Sequence, residues 1–448
     1  MSSTEPLRHN LRKALDADAN RRFVVAYSGG LDSKVLLHAM VDYVGDEKER
    51  LLVAHVDHRL HKDSPRWAKQ CMADAKGMSV AATVLTIEEE LPRGHSVESW
   101  ARDNRYRLLR SIIQSGDVLL TAHHRDDLAE TFFLQLFRGS GPHGLSGIAA
   151  NQYFGHGLLR RPLLDVTRAE IEAYAETHSL EWIDDPSNFE QRYDRNFIRH
   201  SVLPEIEQRW PSVSARIAHA VELQRQAATC LDEAADTVID AKMDPETSQL
   251  LVSTLSKLKN DMQRWVLRRW IVRAGFPIPD AVHLHEMHRL VHARQDAQPC
   301  VSWKGAELRR YRDKLFLVWQ SRLQAGGDDY SWAFNHPLQL PSGVLSAKLI
   351  LGRGLSAALV SSGEVVVRFR RGGERCHPTG RARSQSLKRL FQEWGTPTWL
   401  RANTPLVYVN GELAAVADTC ICRNFAVKTG EHGWVLKWDK RVVPAPSN

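Results

Sequence analysis

Short apolar runs alternate with helix-length amphipathic segments through the first half of the chain. Residues 23–27, 51–56, 80–85 and 118–122 are runs of strand type. Between them, 33–44, 64–76 and 97–115 carry apolar residues at helical spacing, and residues 1–20 read as a lead-in helix. This alternation predicts a doubly wound, mainly parallel α/β sheet. Ligands of such sheets sit beyond the carboxyl ends of the strands. Three of the predicted strands end in polar clusters: Ser28-Gly29-Gly30-Leu31-Asp32-Ser33, Asp57-His58-Arg59-Leu60 and His123-His124-Arg125-Asp126-Asp127.

The first cluster is a strand, a glycine turn and a helix start. Glycines let backbone N–H groups converge on phosphate oxygens, and the helix N-terminus adds partial positive charge. The spacing is not G-x-x-x-x-G-K-[ST]. It resembles the Ser-Gly-Gly-x-Asp-Ser loop of the N-type ATP pyrophosphatases, which cleave ATP between the α and β phosphates. On that resemblance Ser28, Gly29, Gly30, Leu31, Asp32 and Ser33 contact ATP, with His55 and Asp57 beside them, and Asp32 orients the loop or holds Mg²⁺. In the third cluster Asp126, Asp127 and Glu130 lie three or four residues apart on one helix face. One acid there would be explained by the helix dipole. Three beside a phosphate loop point to a cation, either Mg²⁺ on ATP or the ammonium of an amine substrate. The stretch from Arg138 to Gly147 reads as a flexible loop with a cationic entrance that closes over a site.

The second half changes character. A long alanine-rich helix spans about Ser212 to Asp244, and 251–320 continues mostly helical, with a β-like end at 308–319. Within it, Arg264 to Trp270 alternates bases with aromatics, and at least one of Trp265 and Trp270 belongs to a core. Ser321 onward, with Gly326-Gly327-Asp328-Asp329, reads as a linker, and the remainder as a small α+β module. The expected domains are therefore 1–212, 213–320 and 330–448. The last holds the densest basic stretch: Arg368, Arg370, Arg371, Arg375, Arg381, Arg383, Lys388 and Arg389, with only Glu374 opposing. Such a stretch suits phosphates.

Composition adds limits. The 448 residues are 43% hydrophobic and 25% charged, with a formal net charge of +7. No apolar run approaches the roughly 20 residues of a membrane span, and the first 20 residues lack the apolar centre of a signal peptide. The six cysteines are scattered; only Cys420 and Cys422 are close, and Cys-x-Cys is not a zinc or redox spacing. A reduced, cytoplasmic protein with incidental thiols and no membrane association is expected.

Taken in order, the Ser28–Ser33 loop, His55-Val56-Asp57-His58, Glu98-Ser99-Trp100-Ala101-Arg102 and His123 to Thr131 form a specific set. Arg138-Gly139-Ser140-Gly141, Trp182 to Asn188, Arg195-Asn196, Arg370 to Arg375 and Leu387 to Gln392 extend it. The set resembles the tRNA(Ile)-lysidine synthase family over nearly the full chain. That resemblance implies a two-step ligation in the cytoplasm. ATP adenylates the C2 oxygen of the wobble cytidine in a tRNA with anticodon CAU, releasing pyrophosphate; free lysine then displaces AMP. It also implies catalytic roles for Asp32, Asp127, Glu130, His123 and Arg102. Contact with tRNA is expected from Arg195, Arg199, Arg370, Arg371, Arg375, Arg381, Lys388 and Arg389. The rival readings are a tRNA thiolase of the same fold and a non-catalytic RNA-binding protein. Only Cys71 lies in residues 1–212, which disfavours the thiolase; the intact loop and acids disfavour the relic.

Overall fold

The structure is a computed structural model that describes residues 5–439 except 93, 95, 187–189, 243–248, 295–296 and 321–327. The expected linker at 321–327 and the Ser187-Asn188 part of the expected turn therefore lie outside the described residues. The chain divides into two compact units, Met1–Cys230 and Leu231–Asn448.

The first unit runs α1 (Glu5–Leu15), β1 (Phe23–Ala26), α2 (Leu31–Val44), β2 (Leu51–Asp57), α3 (Ser64–Gly77), β3 (Ala81–Thr86), α4 (Val97–Ile112) and β4 (Val118–Leu120). It continues through α5 (Arg125–Phe137), α6 (Pro142–Leu145), β5 (Asn151–Phe154), β6 (Gly157–Arg160), α7 (Arg168–Thr177), α8 (Asp194–Phe197) and α9 (Leu203–Arg209) into α10 (Val213–Lys242). The strands form one sheet in the order β3-β2-β1-β4-β6-β5. Every pairing is parallel except the β5–β6 hairpin at one edge.

Alternation along β1 shows why the sheet is covered on both sides. Phe23, Val25 and Tyr27 pack into one buried cluster with Leu7, Leu11, Val35, Leu36 and Tyr174, so α1, α2 and α7 lie on that face. Val24 packs into the opposite cluster with Leu109 and Ile113 of α4 and its C-terminal flank. Chain order reverses between β1 and β4, which are neighbours although β2 and β3 intervene in sequence. The crevice beyond their carboxyl ends is where such sheets bind ligands.

In the second unit, β7 (Leu250–Leu251), α11 (Val252–Leu255), α12 (Asn260–Arg273), α13 (Ala281–His292), β8 (Cys300–Trp303), β9 (Ala306–Tyr311) and β10 (Lys314–Trp319) share one core. Their strands form an antiparallel sheet in the order β7-β10-β9-β8. The sheet corrects the expectation of a β-like end confined to 308–319. Besides β7, strand structure includes β8 from Cys300, because Lys304 (φ 42°) and Gly305 (φ 77°) make a two-residue turn that folds β8 onto β9. Trp270 is buried and Trp265 packs against the same core, so both tryptophans serve packing. After Asp328 the chain builds a five-stranded and a four-stranded antiparallel sheet over a shared apolar core.

Candidate active site

The crevice is a cavity of about 1510 Å³, lined by the ends of β1, β2 and β4 together with α4, α5 and α7. It is larger than the roughly 300–1,000 Å³ of a single small-ligand pocket, so it has room for a nucleotide and a second reactant.

Its floor is the loop after β1. Gly29 has φ 85°, a conformation that favours glycine, whereas Gly30 has φ −73° and N-caps α2. The Ser33 hydroxyl donates to the Gly30 carbonyl at 2.9 Å and accepts from the Ser28 N–H at 3.2 Å, which holds the loop as a cradle. The Ile183 N–H donates to the Gly29 carbonyl at 3.0 Å, so the segment carrying Trp182, Ile183, Asp184 and Asp185 braces the loop from behind. Beneath it Lys34 is ion-paired to Asp74 at 2.8 Å, and Tyr27 donates to the same carboxylate at 2.5 Å. Ser28, Gly30, Leu31, Asp32 and Ser33 all line the cavity.

His55 and Asp57, expected beside the nucleotide, are buried at the cavity wall. The His55 Nδ1 lies 2.9 Å from the Tyr27 carbonyl, and Asp57 accepts from the Arg59 N–H at 2.9 Å. These bonds spend one polar edge of each side chain on shaping the wall.

The acids after β4 are integral to α5 and are not free carboxylates. Asp127 accepts from the backbone N–H of His124 at 3.0 Å, closing the helix N-terminus. Asp126 accepts from the Arg168 N–H at 2.7 Å and so caps α7 as well. Glu130 is fully buried, with Oε2 2.7 Å from Arg195 Nε and Oε1 2.6 Å from Arg199 Nε. Asp127 Oδ1 is 2.9 Å from Arg195 Nη2 and 3.1 Å from Arg199 Nη2. Arg195 and Arg199, expected to meet tRNA, are thus the counter-ions of the acid pair. They are four residues apart, in α8 and in the π-helical turn Ile198–Val202 that continues it, and so share one face.

Two residues that were not singled out in the sequence join the halves of the site. Arg168 Nη1 lies 2.6 Å from Asp32 Oδ1, which ties the loop to α7. His124 is buried among three carboxylates, 3.8 Å from Asp32, 3.6 Å from Asp126 and 3.5 Å from Asp127. These distances exceed hydrogen-bond length, so charge rather than a directed bond holds the group. Burial works against the charged imidazole, but Asp126, Asp127 and Asp32 together raise its pKa. Burial likewise pushes Asp127 up, and His124 and Arg195 outweigh it and hold the carboxyl low. For Asp32 burial wins and the pKa rises.

One part of the lining is cationic. Arg102 and Arg105 lie over the Tyr106 ring at 5.3 Å and 5.4 Å, and Arg161 is buried nearby, with its guanidinium on the Ala149 carbonyl. Among the described residues none of these three arginines pairs with a carboxylate, so Arg102 and Arg105, which line the cavity, offer uncompensated charge to an anion. Burial raises the Tyr106 hydroxyl, and Arg105, Arg102 and Arg161 overcome it and lower its pKa.

His123 and His58 complete the lining as neutral groups. Burial pushes His123 down to about 3 and His58 down to about 4. The His123 Nδ1 lies 2.9 Å from the Thr121 hydroxyl. Unfolding frees both rings to bind protons below about pH 6.5, so each lowers stability by about 1.4 kcal/mol per unit as pH falls from there. His124, raised, acts in the opposite direction and loses its contribution as pH rises through its folded value. Thermal midpoints are expected to drop between pH 7 and 5, less steeply in His58→Phe. An identical slope in that variant would count against a neutral, buried His58.

The Arg138–Gly147 segment differs from a free loop. It contains α6, its Ser140 hydroxyl donates to Gln135 at 2.7 Å, and the Ser146 N–H donates to the Pro142 carbonyl at 2.8 Å.

In the second unit the basic stretch is less one-sided than its sequence. Arg370 pairs with Glu374, Arg371 with Asp329, and both Arg381 and Arg389 with Glu393. Among the described residues Arg375, Arg383 and Lys388 are exposed and form no pair with a carboxylate.

Three family models match the chain: a PP-loop domain over residues 3–206, a TilS substrate binding domain over 250–316 and a TilS substrate C-terminal domain over 365–438. The tRNA(Ile)-lysidine synthase of Coxiella burnetii is 38% identical over 419 residues, 93% of this chain and 93% of its own length. That of Methylococcus capsulatus is 40% identical over 398 residues, 88% of this chain and 91% of its own. The chain belongs to the tRNA(Ile)-lysidine synthase family. Membership accounts for the company the phosphate loop keeps: a PP-loop domain uses ATP, and this family's own modules follow it in sequence. No helix among the described residues is long and apolar enough to cross a membrane.

Proposed function

We propose that the protein ligates free lysine to C2 of the wobble cytidine of a CAU-anticodon tRNA(Ile), through an adenylated intermediate formed from ATP in the cytoplasm. The observation that carries this reading is a single cavity holding both the glycine cradle and the buried acid pair. The Ser28–Ser33 backbone and the α2 N-terminus would hold the departing pyrophosphate, where preorganised donors act most strongly on developing charge. Arg102 and Arg105 would receive a phosphate in the same cavity. The base itself must be splayed out of its loop to react.

Lysine arrives as an ammonium, which is not nucleophilic until a proton leaves. Asp127 and Glu130 would bind it and one would accept that proton. Their charge is matched in this structure by Arg195 and Arg199, so ammonium binding requires those arginines to find another anion. The phosphate of the adenylated nucleotide supplies one. Lysine would therefore follow adenylation.

Among the described residues no group of three or more His, Cys, Asp or Glu is placed to hold a metal ion. Mg²⁺ carried on ATP needs no such cage, since one or two carboxylates complete a shell of phosphates and water. Asp32, at the loop, suits that role, and the ion would neutralise phosphate charge. We further propose that 1–212 catalyses while 213–320 and 330–448 grip the tRNA body, with Arg370, Arg371, Arg375, Arg381, Lys388 and Arg389 on its phosphates. The thiolase alternative lacks a reactive thiol at the loop: Cys71 is fully buried behind it, and burial pushes its pKa up to about 12.

Asp127→Asn tests the division of labour. It keeps the helix cap and leaves Glu130 to hold both arginines, so folding should survive. We expect tRNA-dependent ATP–pyrophosphate exchange to persist while the lysine requirement rises about tenfold or more. Unchanged lysine dependence would remove Asp127 from the lysine site.

A further inference from the structure

Three of the six cysteines, far apart in sequence, meet in the C-terminal module. Cys376 and Cys422 form a disulfide with Cα atoms 5.8 Å apart, and Cys420 Sγ lies 3.9 Å from Cys376 Sγ. Cys376 and Cys422 are only 2% and 6% exposed, whereas Cys420 is half-buried. The trio replaces the expectation of scattered cysteines with a cluster in space. Sequence spacing misled there, because the functional neighbour of both Cys420 and Cys422 is 44 to 46 residues away.

The location gives the linkage a mechanical consequence. Cys376 ends the short strand Arg375–Cys376, which pairs with Gln385–Ser386, and the loop between them carries Arg381 and Arg383. Cys422 directly follows the strand Cys420–Ile421 at one edge of the five-stranded sheet. Few backbone bonds join these two parts: Thr379 N–H to the Ile421 carbonyl at 3.1 Å, and Arg423 N–H to the His377 carbonyl at 2.7 Å. The disulfide is the covalent tie between an arginine-bearing hairpin and the sheet.

We propose that Cys420, Cys376 and Cys422 form a thiol–disulfide relay driven by small disulfides such as oxidised glutathione, and that its state sets how firmly the 375–386 hairpin is held. Cys420 is the point of entry, being the most exposed of the three. Its thiolate attacks glutathione disulfide, forming a mixed disulfide and releasing one glutathione. The Cys376 thiolate then attacks Cys420 Sγ and releases the second. Finally the Cys422 thiolate attacks Cys376 Sγ and displaces Cys420, which takes up the proton that Cys422 lost. In sum two thiols give two electrons and two protons to one glutathione disulfide, which becomes two glutathiones. Thiolate is the attacking species at each step. Burial raises the Cys420 thiol while Arg381 pulls it down, so the relay quickens as pH rises.

The test uses the reduced full-length protein, placed in glutathione disulfide, trapped by alkylation at intervals and mapped by mass spectrometry. Wild type should pass through a Cys420–glutathione adduct to a Cys376–Cys422 bond. Cys420→Ser should reach the same bond about tenfold or more slowly, because access then limits the reaction. Cys422→Ser should stop at Cys376–Cys420. Hydrogen exchange across 377–386 should slow on oxidation. An equal oxidation rate without Cys420, stoichiometric zinc on the three sulfurs, or exchange unaffected by oxidation would overturn the proposal. The mapping needs no tRNA or ATP, so its failure leaves the ligase reading untouched.

Discussion

Glu130→Ala is expected to destabilise the first unit by about 3 kcal/mol and to abolish lysine transfer. Breaking a buried ion pair from one side leaves uncompensated charge and costs about 3–5 kcal/mol. Glu130 is fully buried and both its oxygens are engaged, while the Arg195 and Arg199 side chains keep 23% and 31% of their exposure. The arginines can therefore lean towards water, which places the cost at the lower end. Denaturant unfolding checks the figure, and a double-mutant cycle with Arg195→Ala separates the pair from the cavity left behind. Removing both partners should cost clearly less than the sum of the single losses. A cost below about 1 kcal/mol for Glu130→Ala, the level of an exposed ion pair, would show that the clamp is not buried in solution.

The second large effect belongs to the phosphate loop. In Gly29→Ala a Cβ would stand 2.6 Å from the Ile183 Cδ1 and 3.0 Å from the Cys71 Sγ, at a φ of 85° that disfavours any side chain. The end of the Ile183 side chain can yield, but the left-handed φ strains any side chain at this position, so the loop and its N–H groups are pulled out of alignment. Losing aligned donors of this kind typically costs 10²–10³ in rate, so ATP–pyrophosphate exchange should fall about 100-fold or more. Gly30 makes the control. Its φ is ordinary and its nearest neighbour to a Cβ is the Ser28 hydroxyl at 3.6 Å, so Gly30→Ala reports on crowding of the cavity alone. Equal losses in the two variants would contradict a special backbone at Gly29.

What sequence reading reached, and what escaped it, divides along physical lines. The parallel sheet, the cradle and the acids of α5 were legible because each is written locally, in alternation, a glycine turn or helical spacing. The partners of those acids were not. Arg195 and Arg199 are 65 and 69 residues from Glu130, and nothing local distinguishes a clamped arginine from a surface one. His124 looked like the second of two histidines, and its importance comes only from three carboxylates meeting around it. The basic module shows the converse. Asp329 reaches Arg371 from 42 residues away, and Glu393, just past the stretch, pairs with both Arg381 and Arg389, so a run that reads as almost purely positive is partly neutralised. The β8–β9 hairpin is not legible in the same way: its four-residue first strand stands in a stretch that otherwise reads as helical, whereas the equally short β1 belongs to a strand–helix alternation.

One cavity that joins ATP chemistry to lysine transfer onto RNA can be tested directly. The full-length protein is incubated with ATP, radiolabelled lysine and a CAU-anticodon tRNA(Ile) transcript, and label, AMP and pyrophosphate are counted. Label is expected in the tRNA at the wobble cytidine, with one AMP and one pyrophosphate for each lysine attached. Pyrophosphate release without any label in the tRNA, from protein shown to be folded, would contradict it.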